Sequence, residues 1–417
     1  MKMPLYTILP SLFIVCILLT KCEAGDVDDY FVNATLVKSD PGALCLTGKP
    51  AAYYFDHGFG SGVRNWLVYL QGGAWCNNVE YCATAYAQLK NLTLDPIPYS
   101  FKDILSNKKE VNPDFFNWNR VVIRYCDGSS FTSDSERVYE YNGTKLYFRG
   151  LRIYKAVMQE LLHKLEMRTA KNALLVGGSA GGVAVSLHCD GFRDLLPHAT
   201  RVKCFSDAGY FFPSKKFARG EIFTQTFQGL MAHGSIKALP EECTSRMSPH
   251  LCFFPQNVEQ HIKTPIFFLM SAFDTVQVTW TFSANNTIKK CLTLLNCSDD
   301  IIKALQDLRL EFLSVLPKLS NASSRGILIT SPTTHEQLSN YRWNSDMVVD
   351  GSDQKISKLF GDWYFDRKSI QIIDKYPCPY NCSVSQNTAN DTGPHTILCK
   401  TLIVIVLLFN WMFSFLL

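Results

Sequence analysis

Ser179 stands in the run Gly177-Gly178-Ser179-Ala180-Gly181-Gly182, between the apolar stretch Ala173-Leu174-Leu175-Val176 and a stretch with helical periodicity. A serine among glycines, entered from a strand and left into a helix, projects a nucleophilic hydroxyl from a strained turn. The start of that helix offers the Ala180 amide to a developing oxyanion. A glycine-rich phosphate cradle is the competing reading, but no P-loop lysine follows. A serine hydroxyl is a poor nucleophile unless a histidine takes its proton, and that histidine must be held by a carboxylate.

In this arrangement the chain order is Ser, acid, His. Two aspartates sit just past strand-like runs: Asp207 after Val202 to Phe205, and Asp274 after Ile266 to Met270. Asp274 follows the stronger strand, two strands past the elbow, and is the preferred acid; Asp207 stays as the alternative, with a structural role in the site's mouth as its other use. With Asp274 as acid, His335 remains as base, in the loop-like stretch Ser331-Pro332-Thr333-Thr334-His335-Glu336. His163 and His188 fall on expected helices and read as solvated or packed. A second oxyanion donor should come from a glycine-rich loop after an earlier strand. Leu67 to Leu70 followed by Gln71-Gly72-Gly73-Ala74-Trp75-Cys76 supplies one, with Cys76 and Cys82 able to brace it.

These residues need a scaffold, and the hydrophobic pattern describes one. Trp66 to Leu70, Val121 to Tyr125, Ala173 to Val176 and Ile266 to Met270 have strand character, with Val202 to Phe205 a weaker fifth. Gly150 to Glu166, Ala180 to Leu196 and Asp299 to Leu319 carry apolar residues at helical spacing. Strands alternating with helices imply an α/β fold, a mostly parallel sheet covered by helices on both faces. Neither a repeat nor a linker divides residues 25 to 386, which are expected to form one domain.

The chain has 417 residues, and 41 basic against 37 acidic side chains leave a net charge of +4, too near balance to argue for a nucleic-acid partner. Residues 1–24 read as a secretory signal peptide: Lys2, an apolar run of about a dozen residues, then Cys22 and Ala24 before Gly25. Cys45, Cys76, Cys82, Cys126, Cys189, Cys204, Cys243, Cys252, Cys291, Cys297, Cys378 and Cys382 then form an even set suited to disulfides, and without a CxxC pair among them no metal site is expected. Eight Asn-x-Ser/Thr sequons agree with the secretory lumen. Residues 387–417 form a spacer and an uncharged hydrophobic tail, expected to be a glycolipid-anchor signal or, failing that, a tail helix at the membrane.

The sequence resembles the plant pectin acetylesterases, whose animal relatives are the Notum carboxylesterases. The likeness is carried by Asn65-Trp66-Leu67 through Asn77-Asn78, by Phe116-Asn117-Trp118-Asn119-Arg120 through Tyr125-Cys126-Asp127-Gly128-Ser129-Ser130-Phe131, and by the Gly177 to Gly182 elbow. It continues through His188-Cys189-Asp190, Lys203 to Gly209, Leu251 to Asn257 and Gly361 to Arg367. The resemblance implies an α/β-hydrolase-like serine esterase of the extracellular plant cell wall that deacetylates pectin and needs no cofactor. It also implies Ser179, Asp274 and His335 as the triad and the amides of Gly73, Ala74 and Ala180 as the oxyanion hole. Trp75, Asp127, Ser129 and Asp207 are the candidates for the substrate cleft, acetylated pectin is the expected partner, and a monomer is expected.

The sequence departs from that pattern where typical plant members carry cysteine just before the nucleophile and on both sides of the base; these positions are Gly178, Pro332 and Glu336 here. The departure bears on how the His335 loop is tethered. Two other functions compete: a Notum-type deacylase of a lipidated protein, and a wall-binding protein that has lost activity.

Overall fold

Nine strands build the central sheet of the computed structural model, which describes residues 30–88, 96–282, 291, 297–317, 324–338, 342–345, 347–349 and 352–375. They are β1 (Ala34–Leu36), β2 (Ala52–Asp56), β3 (Asn65–Leu70), β4 (Asn119–Ile123), β5 (Asn172–Gly178), β6 (Arg201–Asp207), β7 (Ile266–Ser271), β8 (Arg325–Thr330) and β9 (Gln371–Ile373). Their spatial order is β9-β8-β7-β6-β5-β3-β4-β2-β1. The pairs from β4 through β9 are parallel, whereas β2 runs antiparallel to both β1 and β4. All five strands read from the sequence are present; β1, β2, β8 and β9 extend the sheet at its edges.

The central strands are apolar on both sides because both faces are covered. Val68, Leu70, Val121, Leu175 and Phe268 face one core, shared with Ile153, Val157 and Leu161 of α2 (Gly150–His163) and Val183 and Leu187 of α3 (Ala180–Asp194). Their chain neighbours Leu67, Tyr69, Val122, Leu174 and Phe267 face the opposite core, against Ile356, Phe360 and Trp363 of α7 (Ile356–Tyr364) and against Phe115 and Trp118 from irregular chain. Successive strand residues point to opposite faces, so the two clusters separate along each strand with period two. The remaining helices relevant to the site are α1 (Val79–Gln88), α4 (Ile222–Met231), α5 (Thr275–Phe282) and α6 (Asp299–Val315).

Disulfides join Cys45–Cys126, Cys76–Cys82, Cys189–Cys204, Cys243–Cys252 and Cys291–Cys297. Cys378 and Cys382, the expected signal peptide and the hydrophobic tail lie outside the described residues. Among the described residues no helix is long and apolar enough to cross a membrane.

The chain leaves β3 outward to β4 and returns to β5 on the other side of β3. That reversal opens a crevice at the carboxyl ends of the strands, where open α/β sheets collect their ligands. In register, Leu70 pairs with Gly177, Asp207 with Gly178 and Leu269, and Ser271 with Thr330. Ser179, Asp274 and His335 all follow directly on this edge.

Candidate active site

Ser179 links the end of β5 to α3 with φ +54° and ψ −122°. A side chain in the left-handed region is costly, and the surroundings must hold it there. Here the Ser179 amide donates to the Asp207 carbonyl at 2.9 Å, and the Ser179 carbonyl accepts from the Val183 amide at 3.1 Å, starting the helix. The Ala180 amide belongs to the first turn of α3, whose N–H groups have no intrahelical acceptor.

Asp274 lies between β7 and α5 and is buried. Its Oδ1 accepts from the amides of Val276 and Gln277 at 2.9 and 3.0 Å, which leaves Oδ2 to accept from His335 Nδ1 at 2.7 Å. Two backbone donors therefore fix the carboxylate, and the carboxylate fixes the imidazole tautomer, with Nε2 the nitrogen left to accept a proton. The structure thus pairs His335 with Asp274 and not with Asp207.

Asp207 is fully buried at the end of β6, and its Oδ2 accepts from the amides of Gln337 and Leu338. It holds the chain just after the histidine. On the other side of His335, Ser271 Oγ donates to the Pro332 carbonyl at 2.6 Å and the Thr275 amide to the Thr334 carbonyl at 3.2 Å. The His335 loop is thereby anchored by hydrogen bonds at both ends.

Carboxylates crowd the imidazole. Burial alone would lower the His335 pKa, but Asp274, then Glu336 and Asp207, outweigh it and hold the value up at about 9. Asp207 is pushed up to about 7, chiefly by burial and against the two amides it accepts.

The loop after β3 exposes Gly73 and Ala74 at the crevice. A Cβ at Gly73 would stand 2.3 Å from the Tyr125 ring, and Ala74 takes φ +61°. Tyr125 Oη donates to the Ala74 carbonyl at 2.6 Å and accepts from the Ser130 amide at 3.0 Å, while Ser130 Oγ accepts from Trp75 Nε1 at 2.8 Å. Tyr125 and Ser130 are thus supports of the loop that sequence reasoning did not single out, although both stand in a quoted motif block.

The cleft candidates fare differently. Asp127 and Ser129 are completely buried: Asp127 Oδ2 accepts from the Ser129 and Phe131 amides and from Ser129 Oγ, tightening the turn that leads to α2. Neither faces a cleft, which corrects the expectation. Trp75 is 4% exposed and packs edge to face against Phe211, Phe223, Phe227 and Trp280, so most of its surface is wall. It lines a cleft of about 450 Å³ together with Asn77, Asn78, Tyr81, Arg219 and Trp280. His188 is packed as expected, with its ring 4.3 Å from that of Tyr154. Among the described residues no group of three or more His, Cys, Asp or Glu could hold a metal ion.

A sheet of this order, with a serine at a strand-to-helix elbow and a His–Asp pair on neighbouring strand ends, is the architecture of an α/β-hydrolase-like carboxylic ester hydrolase. Comparison with known proteins agrees: the family model described as Pectinacetylesterase matches residues 26–383, and the chain belongs to that family. Pectin acetylesterase 7 of Arabidopsis thaliana is 40% identical over 396 residues, 92% of this chain and 96% of its own length. Pectin acetylesterase 11 of the same plant is 40% identical over 80% of this chain and 87% of its own. A palmitoleoyl-protein carboxylesterase of Xenopus laevis, notum1', is 32% identical over 62% of this chain and 54% of its own.

Proposed function

We propose that the protein is a secreted serine esterase that removes acetyl groups from cell-wall pectin. The observation that carries the proposal is the 2.7 Å bond from His335 to Asp274 at the sheet edge that also presents Ser179. Ser179 Oγ attacks the acetyl carbonyl carbon while His335 Nε2 takes its proton, and Asp274 stabilises the imidazolium through Nδ1–H. The oxygen that becomes negative meets the amides of Gly73, Ala74 and Ala180. Collapse breaks the bond to the sugar oxygen, which leaves with the proton from His335. Water then repeats the sequence on acetyl-Ser179, His335 taking its proton, and acetate departs.

The relatives named pectin acetylesterases support pectin as substrate. A small acyl group is supported by packing: the Phe211 ring lies 6.3 Å from the His335 ring, and behind it Trp75, Phe223, Phe227 and Trp280 pack ring against ring. A long acyl chain entering on that side would have to displace buried aromatic area. The Notum-type relatives favour a second reading, a deacylase of longer acyl esters. Nitrophenyl esters decide between them: rates that fall from acetyl to octanoyl support the acetylesterase, and rates that rise support the deacylase.

Residues 1–24 as signal peptide, 25–386 as esterase domain and 387–417 as spacer and anchor signal complete the proposal. Release of the protein from cells by phospholipase C tests the anchor. Acetate release from acetylated pectin by the secreted domain tests the activity, with Ser179→Ala and a chelator as controls. Chelator-resistant release that Ser179→Ala abolishes is the expected result; a folded wild type that releases none, yet reacts with a fluorophosphonate, would move the assignment to another ester.

A further inference from the structure

Glu336 follows His335 in the chain and takes φ +54°, a left-handed conformation uncommon for a side-chain-bearing residue. Its Oε1 lies 2.8 Å from where a Cβ on Gly178 would stand and 2.7 Å from the corresponding point on Gly72. The Ser179 Cβ is 2.9 Å from that Gly72 point, and Tyr69 Oη is 2.9 Å from the Gly178 point. Two glycines, one before the oxyanion loop and one before the nucleophile, therefore leave a notch beside Ser179. The Glu336 carboxylate occupies it. A methyl group at either glycine would come closer than side-chain carbons approach other atoms.

We propose that Glu336 is a positioning residue: seated between Gly72 and Gly178, its carboxylate clamps the His335 turn onto the nucleophile elbow and sets the charge around the base. The proposal rests on the Ser179–His335–Asp274 reading. Three observations favour a charged clamp over a bystander. The strained backbone at Glu336 must be held by its surroundings. The seat joins all three moving parts of the reaction, namely elbow, base turn and oxyanion loop. And the charge is felt nearby: the groups around it include His335 on its own turn, Asp207 from β6, Tyr99, and the Tyr69 hydroxyl from β3, which borders the same notch. His335, Asp207 and Tyr99 all have their pKa raised in part by Glu336.

Glu336→Gln keeps the shape and removes the charge; Glu336→Ala empties the notch; Gly178→Ala fills it from the other side. Each is compared with the parent by Tm and by kcat and KM on 4-nitrophenyl acetate between pH 5 and 9. The neutral imidazole is the active base, and losing a nearby negative charge lowers its proton affinity. Glu336→Gln should therefore move the acidic limb of kcat/KM to lower pH, by about half a unit or more, with KM within about twofold of the parent. Glu336→Ala and Gly178→Ala should each lower kcat roughly tenfold, and the double variant should lose no more than the worse single, because both changes break one contact. A parental pH profile in Glu336→Gln, or single-variant losses that multiply in the double variant, would overturn the clamp. Ser179→Ala keeps the two readings apart: activity surviving there sinks the triad, whereas activity lost there with a parental Glu336→Gln sinks the clamp alone.

Discussion

The Asp207 carboxylate holds the backbone two residues past the base as well as three: its Oδ2 accepts from the Gln337 amide and, at 2.9 Å, from the Leu338 amide, while Oδ1 is buried without a partner among the described residues. An acceptor is needed there, a charge is not. Asp207→Ala would leave two buried amides unpaired, each costing about 1–3 kcal/mol, and should lower both Tm and kcat. Asp207→Asn keeps an oxygen for both amides and should lose far less.

The same residue gives the stability curve a sign. The pKa of Asp207 is raised by folding from 3.8 to about 7, so its contribution is fully present below pH 3.8 and is lost as pH rises through 7. Above that, a buried charge opposes folding. Asp207→Asn should remove this dependence, flattening Tm between pH 4 and 8 relative to the parent; parallel curves for the two proteins would refute the assignment.

His335 makes a separate prediction about rate. With its pKa raised from 6.5 to about 9, the imidazole holds its proton to higher pH than a free one, and only the neutral ring accepts the Ser179 proton. The acidic limb of kcat/KM should therefore lie above the 6.5 of a free imidazole. Asp274→Asn removes the main source of the rise and also frees the ring to take the wrong tautomer, so the limb should fall in pH while the plateau drops by about 10⁴-fold, as in other triads of this kind. A limb at 6.5 in the parent would contradict the crowded-carboxylate picture.

The central sheet was legible because β3, β4, β5 and β7 carry unbroken apolar runs that fill both faces, whereas β6, interrupted by Lys203, gives the weaker signal. β1 and β9 were not, since they are three-residue edge strands with few buried side chains. α7 covers a face that the sequence reading gave to helices without naming one. In the site, Ser179, Asp274 and His335 could be ranked from chain order and strand ends alone. Asp127 and Ser129 were misplaced because a buried polar turn and a binding loop share the same residue types, and only burial tells them apart. The supports Tyr125, Ser130 and Asp207 act through contacts across 51 to 131 residues of chain, a distance at which one sequence carries no pairing signal.

Two disulfides should separate stability from activity. Cys45–Cys126 closes 81 residues of chain and Cys76–Cys82 only 6. The chain-entropy model gives about 4–5 kcal/mol for the long loop and about 2 kcal/mol for the short one. Replacing the long pair by serine should thus lower Tm about twice as much. The short pair, however, flanks the Gly73 and Ala74 amides, so its loss should cut kcat on 4-nitrophenyl acetate more than the long pair does. Equal effects on kcat would mean that the disulfide does not hold the oxyanion loop.

Arg219 offers a test of substrate class. It is exposed on the rim of the cleft beside the oxyanion loop, with Tyr81 and Trp280 supplying aromatic surface and Asn77 and Asn78 supplying amides. A galacturonan carries a carboxylate on each unesterified sugar, and a guanidinium binds one bidentately. Because the site is open to water, the contribution should be modest, up to about 1 kcal/mol, or a two- to fivefold rise in KM for acetylated pectin in Arg219→Gln. Hydrolysis of 4-nitrophenyl acetate, which has no carboxylate, should not change. Salt should weaken pectin binding by the parent more than by the variant. If both substrates suffer alike, Arg219 shapes the loop; if neither does, the polymer crosses the crevice on another side.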